Sequence, residues 1–126
     1  MKKLMSLLVC LSTLAACTTM AAPADSVMTI YTTASWSNMF IVHPNNPGII
    51  CYQSGHLNPG ASITITEEDI TKNLEKCYYN KTIGVIFFGN SSKAPFPPQY
   101  IKHGEKCTAS WKIIGNKLVF DCVDMS

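Results

Sequence analysis

From Cys107 to Ile113 every second residue (Cys107, Ala109, Trp111, Ile113) is apolar, and the residues between them, Thr108, Ser110 and Lys112, are polar. Beyond Gly115-Asn116 the alternation resumes, with Leu118, Phe120 and Cys122 set against Lys117, Val119 and Asp121. A period of two on both sides of a glycine-containing turn predicts a β-hairpin with one wet face and one face, carrying both cysteines, turned to a core. Such a face needs a cover, so the chain is committed to a layered, β-rich architecture. If Gly115-Asn116 is a two-residue loop, Trp111 stands opposite Phe120 and Ile113 opposite Leu118. Cys107 and Cys122 are then diagonal neighbours, about 7 Å apart, too far for a relaxed bridge. On that register each must reach Cys51 or Cys77 across the core; a bulge or a longer turn restores a 107 to 122 bond.

The start of the chain bears on whether those cysteines are oxidised. Lys2 and Lys3 precede an apolar stretch from Leu4 to Leu14, broken only by Ser6, Ser12 and Thr13. That is the layout of a secretory signal, shorter than the roughly 20 apolar residues a membrane-spanning helix needs. Leu14-Ala15-Ala16-Cys17 resembles the lipobox of bacterial lipoproteins, which implies a lipid-modified Cys17 as first residue. Thr18, in place of Asp, matches the pattern of outer-membrane retention. On this reading residues 1–17 are the signal segment, 18–25 a tether and 26–126 a single globular domain. The competing site is ordinary cleavage after Ala21 or Ala24, which discards Cys17 and frees a periplasmic or secreted protein.

Either route leaves Cys51, Cys77, Cys107 and Cys122. Four cysteines in a small exported chain predict two disulfides in one of three connectivities. No pair has the close spacing of a zinc knuckle. About a hundred residues allow one domain and one modest core. The formal charge of +2 belongs to the signal: of ten lysines, Lys2 and Lys3 leave with it, and eight remain against eight acids. No arginine occurs, so the bidentate fork that phosphate and base recognition favour is missing, and nucleic acid is not an expected partner.

Thr66, followed by Glu67, Glu68 and Asp69, is a helix-start signature, with acids at the positive end of the helix dipole. Ile70, Leu74, Cys77 and Tyr78 then form one apolar stripe, predicting a helix over about 67–79 with Cys77 inward. Strands are predicted at 26–33, 38–43, 48–52, 61–65 and 83–88, the last apolar at both parities as befits a central strand. With the hairpin, the expected fold is α+β or mainly β: a small antiparallel sheet or β-sandwich of about seven strands with one helix, held by disulfides.

Gly89 to Gly104 fits no predicted element, because Pro95, Pro97 and Pro98 argue against a paired strand. A loop of such length is often functional. A polyproline conformation there presents Phe96 and Tyr100 to a partner; the plainer alternative packs the loop back, with Phe96 filling a surface dimple. Pro95, Phe96, Pro97, Pro98 and Tyr100 are therefore the candidate partner-binding residues. His43, His56 and His103 are the only histidines, without the spacing that puts two ligands on one face. Nucleophile elbow, phosphate loop and dinucleotide fingerprint are all missing, and carboxylates outside the helix start are few. No catalytic residue, metal ligand or cofactor site is assigned. The expectation is a non-enzymatic exported protein that binds a protein partner and touches a membrane only through a lipid at Cys17. The alternatives are a small exported hydrolase or metal enzyme built on the histidines, and a structural lipoprotein.

Overall fold

A computed structural model describes residues 26–90 and 95–125. The signal segment, Cys17, the tether and Ser91 to Ala94 lie outside them, as do the readings placed there.

Eight strands form two four-stranded sheets. β1 (Ser26–Thr32), β4 (Ser62–Thr66), β7 (Glu105–Lys112) and β8 (Lys117–Asp124) make the first, in the order β4-β1-β7-β8. The second, ordered β3-β2-β5-β6, holds β2 (Asn38–His43), β3 (Asn46–Gln53), β5 (Thr82–Phe88) and β6 (Gln99–Lys102). All pairings are antiparallel except β1 with β7, which run parallel. The inner faces meet in one core: Met28, Ile30, Ile65, Cys107 and Ala109 from the first sheet, Met39, Ile41, Ile83, Val85, Phe87 and Ile101 from the second. The expected disulfide-held β-sandwich with one helix is therefore what the chain forms, with eight strands where seven were read.

The additional strand is β6, inside the stretch read as unstructured. The prolines end at Pro98, so every residue of Gln99–Lys102 keeps its N–H and pairs with β5 along Thr82 to Val85. Upstream, Pro95 bridges to Phe88, and the Phe96 N–H donates to the Phe87 carbonyl at 2.9 Å.

The terminal hairpin forms in a register two residues away from the expected one. Lys112 pairs with Lys117, Trp111 with Leu118, Ala109 with Phe120, and Cys107 directly with Cys122. The reason is a four-residue loop, Ile113 to Asn116, in which the Asn116 N–H donates to the Ile113 carbonyl at 3.0 Å. Gly115 has φ 91°, the positive value that the third residue of a type II turn requires. The longer turn restores the Cys107–Cys122 disulfide, whose cysteines are 15 residues apart, and Cys51 bonds Cys77. Ile113, assigned to the dry face, sits in the loop instead.

The helix begins as predicted and ends early. Thr66 Oγ1 accepts from the Asp69 N–H, and Asp69 Oδ2 accepts from the Thr66 N–H, a reciprocal cap that opens α1 (Glu67–Lys72). The chain leaves α-geometry at Asn73 and resumes as a 3-10 turn, Glu75–Cys77. Cys77 must reach Cys51 on β3, and that turn carries its fully buried sulfur there. Thr66→Ala removes the reciprocal cap and is expected to cost about 1 kcal/mol, read as a lower urea midpoint with an unchanged slope.

Candidate functional site

Directly paired residues in neighbouring strands share a face of the sheet, so the register gives the composition of each outer surface. On the first sheet, the rows Thr64, Thr29, Lys106, Val123 and Ser62, Tyr31, Thr108, Asp121 run across the outside, followed by Ser110 with Val119 and Lys112 with Lys117. This is a wet surface.

The outer face of the second sheet differs in kind. One row runs Ile50, Val42, Gly84, Tyr100; the next runs Gln53, Phe40, Ile86; a third joins Asn38 to Phe88. These rows carry no charged side chain; the next row, Thr82 with Lys102, bounds the apolar surface with a lysine. Val42 and Ile86 are buried yet lie outside the core cluster, which is what the second side of the sheet requires. The Phe40 and Phe88 rings stand 4.8 Å apart in the middle of the face. Gly84 makes room for Val42: a Cβ there would meet Val42 Cγ2 at 3.0 Å and backbone of Val42 and Pro44 just beyond. Ile50 and Tyr100 stand at the margins, 46% and 50% exposed. The part of this face that reaches the surface is Ile50 and Tyr100 with the half-buried Phe40 and Phe88, and exposed apolar side chains grouped in this way mark an interaction site.

The loop residues singled out from sequence divide. Phe96 turns inward, its ring 5.8 Å from Trp36 and 5.4 Å from Trp111, both edge-on. Pro95, Pro97 and Pro98 are exposed beside the start of β6, and Tyr100 closes the apolar row. Phe40, Ile50 and Phe88 were not foreseen as surface. Their signal was present in β5, whose apolar residues at both parities imply two faces wanting cover.

The three histidines are held separately. His43 Nδ1 accepts from the Asn45 N–H at 3.0 Å, His56 Nε2 lies 3.1 Å from Asn58 Oδ1, and His103 Nε2 lies 3.1 Å from Glu67 Oε2. Among the described residues, the one grouping of three potential ligand atoms within 4.8 Å is Glu105, Cys107 and Cys122. Both of its sulfurs are spent in the disulfide, so it offers a metal only Glu105. Burial pushes the Tyr78 phenol above its usual range, with the Glu67 carboxylate adding to it. The Glu68 hydrogen bond and charge raise the Lys72 ammonium likewise. Both shifts move a group away from neutrality, the reverse of what a base or nucleophile needs.

A cleft of about 430 Å³ opens where the edge strands β3 and β4 face one another, lined by Ile41, Cys51, Tyr52, Ile63 to Ile65, Asp69, Asn73 and Leu74. Its one carboxylate, Asp69, is engaged by the Thr66 N–H, the Thr66 hydroxyl and the Asn73 side-chain amide. No protein-family model, curated protein or solved structure matches this chain.

Proposed function

We propose that this chain is a non-enzymatic binding protein of the bacterial envelope or secreted fraction, and that it captures a protein partner on the outer face of its second sheet. One observation carries the reading: that face is apolar from Ile50 to Tyr100, with the Phe40 and Phe88 rings packed together on its two central strands, while the outer face of the first sheet is mostly polar, with Tyr31, Val119 and Val123 set among Thr, Ser, Lys and Asp. Exposed edges at β3 and β6 extend the same surface, and a partner strand laid along β3, which has no charged residue, meets no repulsion. The partner chemistry is accordingly an apolar protein surface. Two disulfides suit an oxidising compartment, and the lipobox reading of Cys17 makes the protein an outer-membrane lipoprotein.

Ile50→Lys/Tyr100→Lys places two charges on the face at positions already half exposed, leaving the core untouched. Capture from envelope extract by the immobilised protein, quantified by mass spectrometry, is expected to yield one or a few stoichiometric partners that the double variant loses at least ten-fold. Thermal unfolding of the two proteins should coincide within a few degrees. Equal capture by both would remove the face from the binding function.

A further inference from the structure

The second surface worth a function is the tip of the terminal hairpin. Ile113 and Ile114 are 83% and 81% exposed, well beyond any other large apolar side chain among the described residues. Their loop is flanked by Lys112 and Lys117, which pair directly across the two strands. Like charges in that position repel, so folding alone would not favour the pair. Behind them lies Trp111, half-buried against Phe96 and Trp36.

The whole end of the sandwich shares this character. β1 leaves the first sheet at Thr32 beside Ala109, and β2 enters the second at Asn38 beside Phe88. The segments 33–37, 54–61, 89–90 and 95–98 therefore gather around the hairpin tip, with Trp36 bridged to Leu57 and Phe88 to Pro95. None of them contains Asp or Glu. The acids of α1, Glu75, Glu105 and Asp124 belong to the other end, where Glu105 pairs with Asp124 and the Gly104 N–H meets the Val27 carbonyl, and Asp121 stands midway along the hairpin opposite Thr108. The fold thus carries an acid-free, basic end crowned by two aliphatic side chains.

We propose that this end docks on an anionic lipid bilayer, with Ile113 and Ile114 inserted among the acyl chains and Lys112 and Lys117 at the headgroups. Charge complementarity selects the occupant. Exposed isoleucines supply apolar area, and each lysine near an anionic surface adds attraction that a neutral bilayer does not. A partly buried tryptophan behind the tip suits the level between headgroup and chain. The surface is separate from the apolar sheet face, so either assignment can fail without the other, and docking here requires no lipid on Cys17.

The protein carrying Cys17→Ser, so that no acyl anchor contributes, is mixed with sucrose-loaded vesicles of phosphatidylcholine, or of phosphatidylcholine and phosphatidylglycerol at 3:1, and sedimented. Binding is expected on the anionic vesicles, weakening steeply with salt. Lys112→Gln/Lys117→Gln should weaken it about thirty-fold, the contribution of two surface lysines. Ile113→Ser/Ile114→Ser should reduce it at least ten-fold. Vesicles with brominated acyl chains give a readout independent of any anchor: they should quench tryptophan emission in the parent protein and not in the serine variant. Thermal unfolding checks that all three proteins are folded. Equal binding to neutral and anionic vesicles, or quenching unchanged by the serine substitutions, overturns the proposal. So does loss of a captured protein on tip substitution with vesicle binding unaffected, since the tip would then belong to a protein interface.

Discussion

Reducing both disulfides is expected to lower the unfolding free energy by about 6.5 kcal/mol, from chain-entropy terms of roughly 3.5 and 3 kcal/mol for closed loops of these lengths. The cysteines of the pairs are 26 and 15 residues apart, and the two loops do not overlap, so the two contributions add. A domain of about a hundred residues is stable by roughly 5–15 kcal/mol in all. Reduction should therefore remove about half of the stability or more, and unfolds the protein if its total lies at the lower end of that range. Urea titration with and without dithiothreitol measures this, and a loss under about 2 kcal/mol would mean that the unfolded chain keeps its loops closed by other contacts. Cys51→Ala/Cys77→Ala should cost more than Cys107→Ala/Cys122→Ala. The first bond spans the longer loop and fixes the 3-10 turn to β3, whereas the hairpin keeps its ladder without its bridge.

Trp36→Ala should be the most damaging single substitution, costing about 4 kcal/mol as large aromatic deletions in cores do. The indole is fully buried, with the Phe87 ring at 5.0 Å and Phe96 and Trp111 edge-on around it. Its N–H donates to the hydroxyl of the buried Thr32, which also accepts from the Ala34 N–H and faces the Ala34 and Ala109 carbonyls as donor, so the indole is tied into a buried hydrogen-bond network. Removal leaves a cavity and takes a donor from that network. Trp111→Ala, at a half-buried ring on the rim of the same cluster, should cost roughly half as much. Equilibrium unfolding of the two variants tests the ranking, and equal costs would mean that the cluster is anchored at its rim.

Local chemistry was legible wherever a short segment decides its own structure. The Thr66 to Asp69 cap, the hairpin alternation and the strand-length run at β5 each depend on neighbours within a few residues, and each formed. What failed depended on something further away. The hairpin register turned on whether the loop held two residues or four, and only the alignment of Cys107 with Cys122 makes that visible. The helix was cut short by a bond to a strand 26 residues earlier. Proline was given too long a reach: it excludes its own position from a ladder, and Gln99–Lys102 are free of it. The apolar outer face escaped notice because alternation within one strand says which residues face alike, while the uncovered side emerges only when β3, β2, β5 and β6 lie together. The hairpin tip was concealed likewise, since Ile113 continues a pattern that the turn interrupts.

The parallel pairing of β1 with β7 reaches into the life of the chain before it folds. Thr32 meets the Ala109 carbonyl across 77 residues, so the opening strand waits for almost the last one to arrive. Pairings at such separation form slowly, because loop closure precedes any reward from contact. While the C-terminal strands are still being synthesised, the first sheet has only β4 to set beside β1, and half the core has no lid. A polypeptide built this way completes its first sheet only when those strands are present. The Cys107–Cys122 bond, whose two cysteines lie in them, is among the last links that the fold can close.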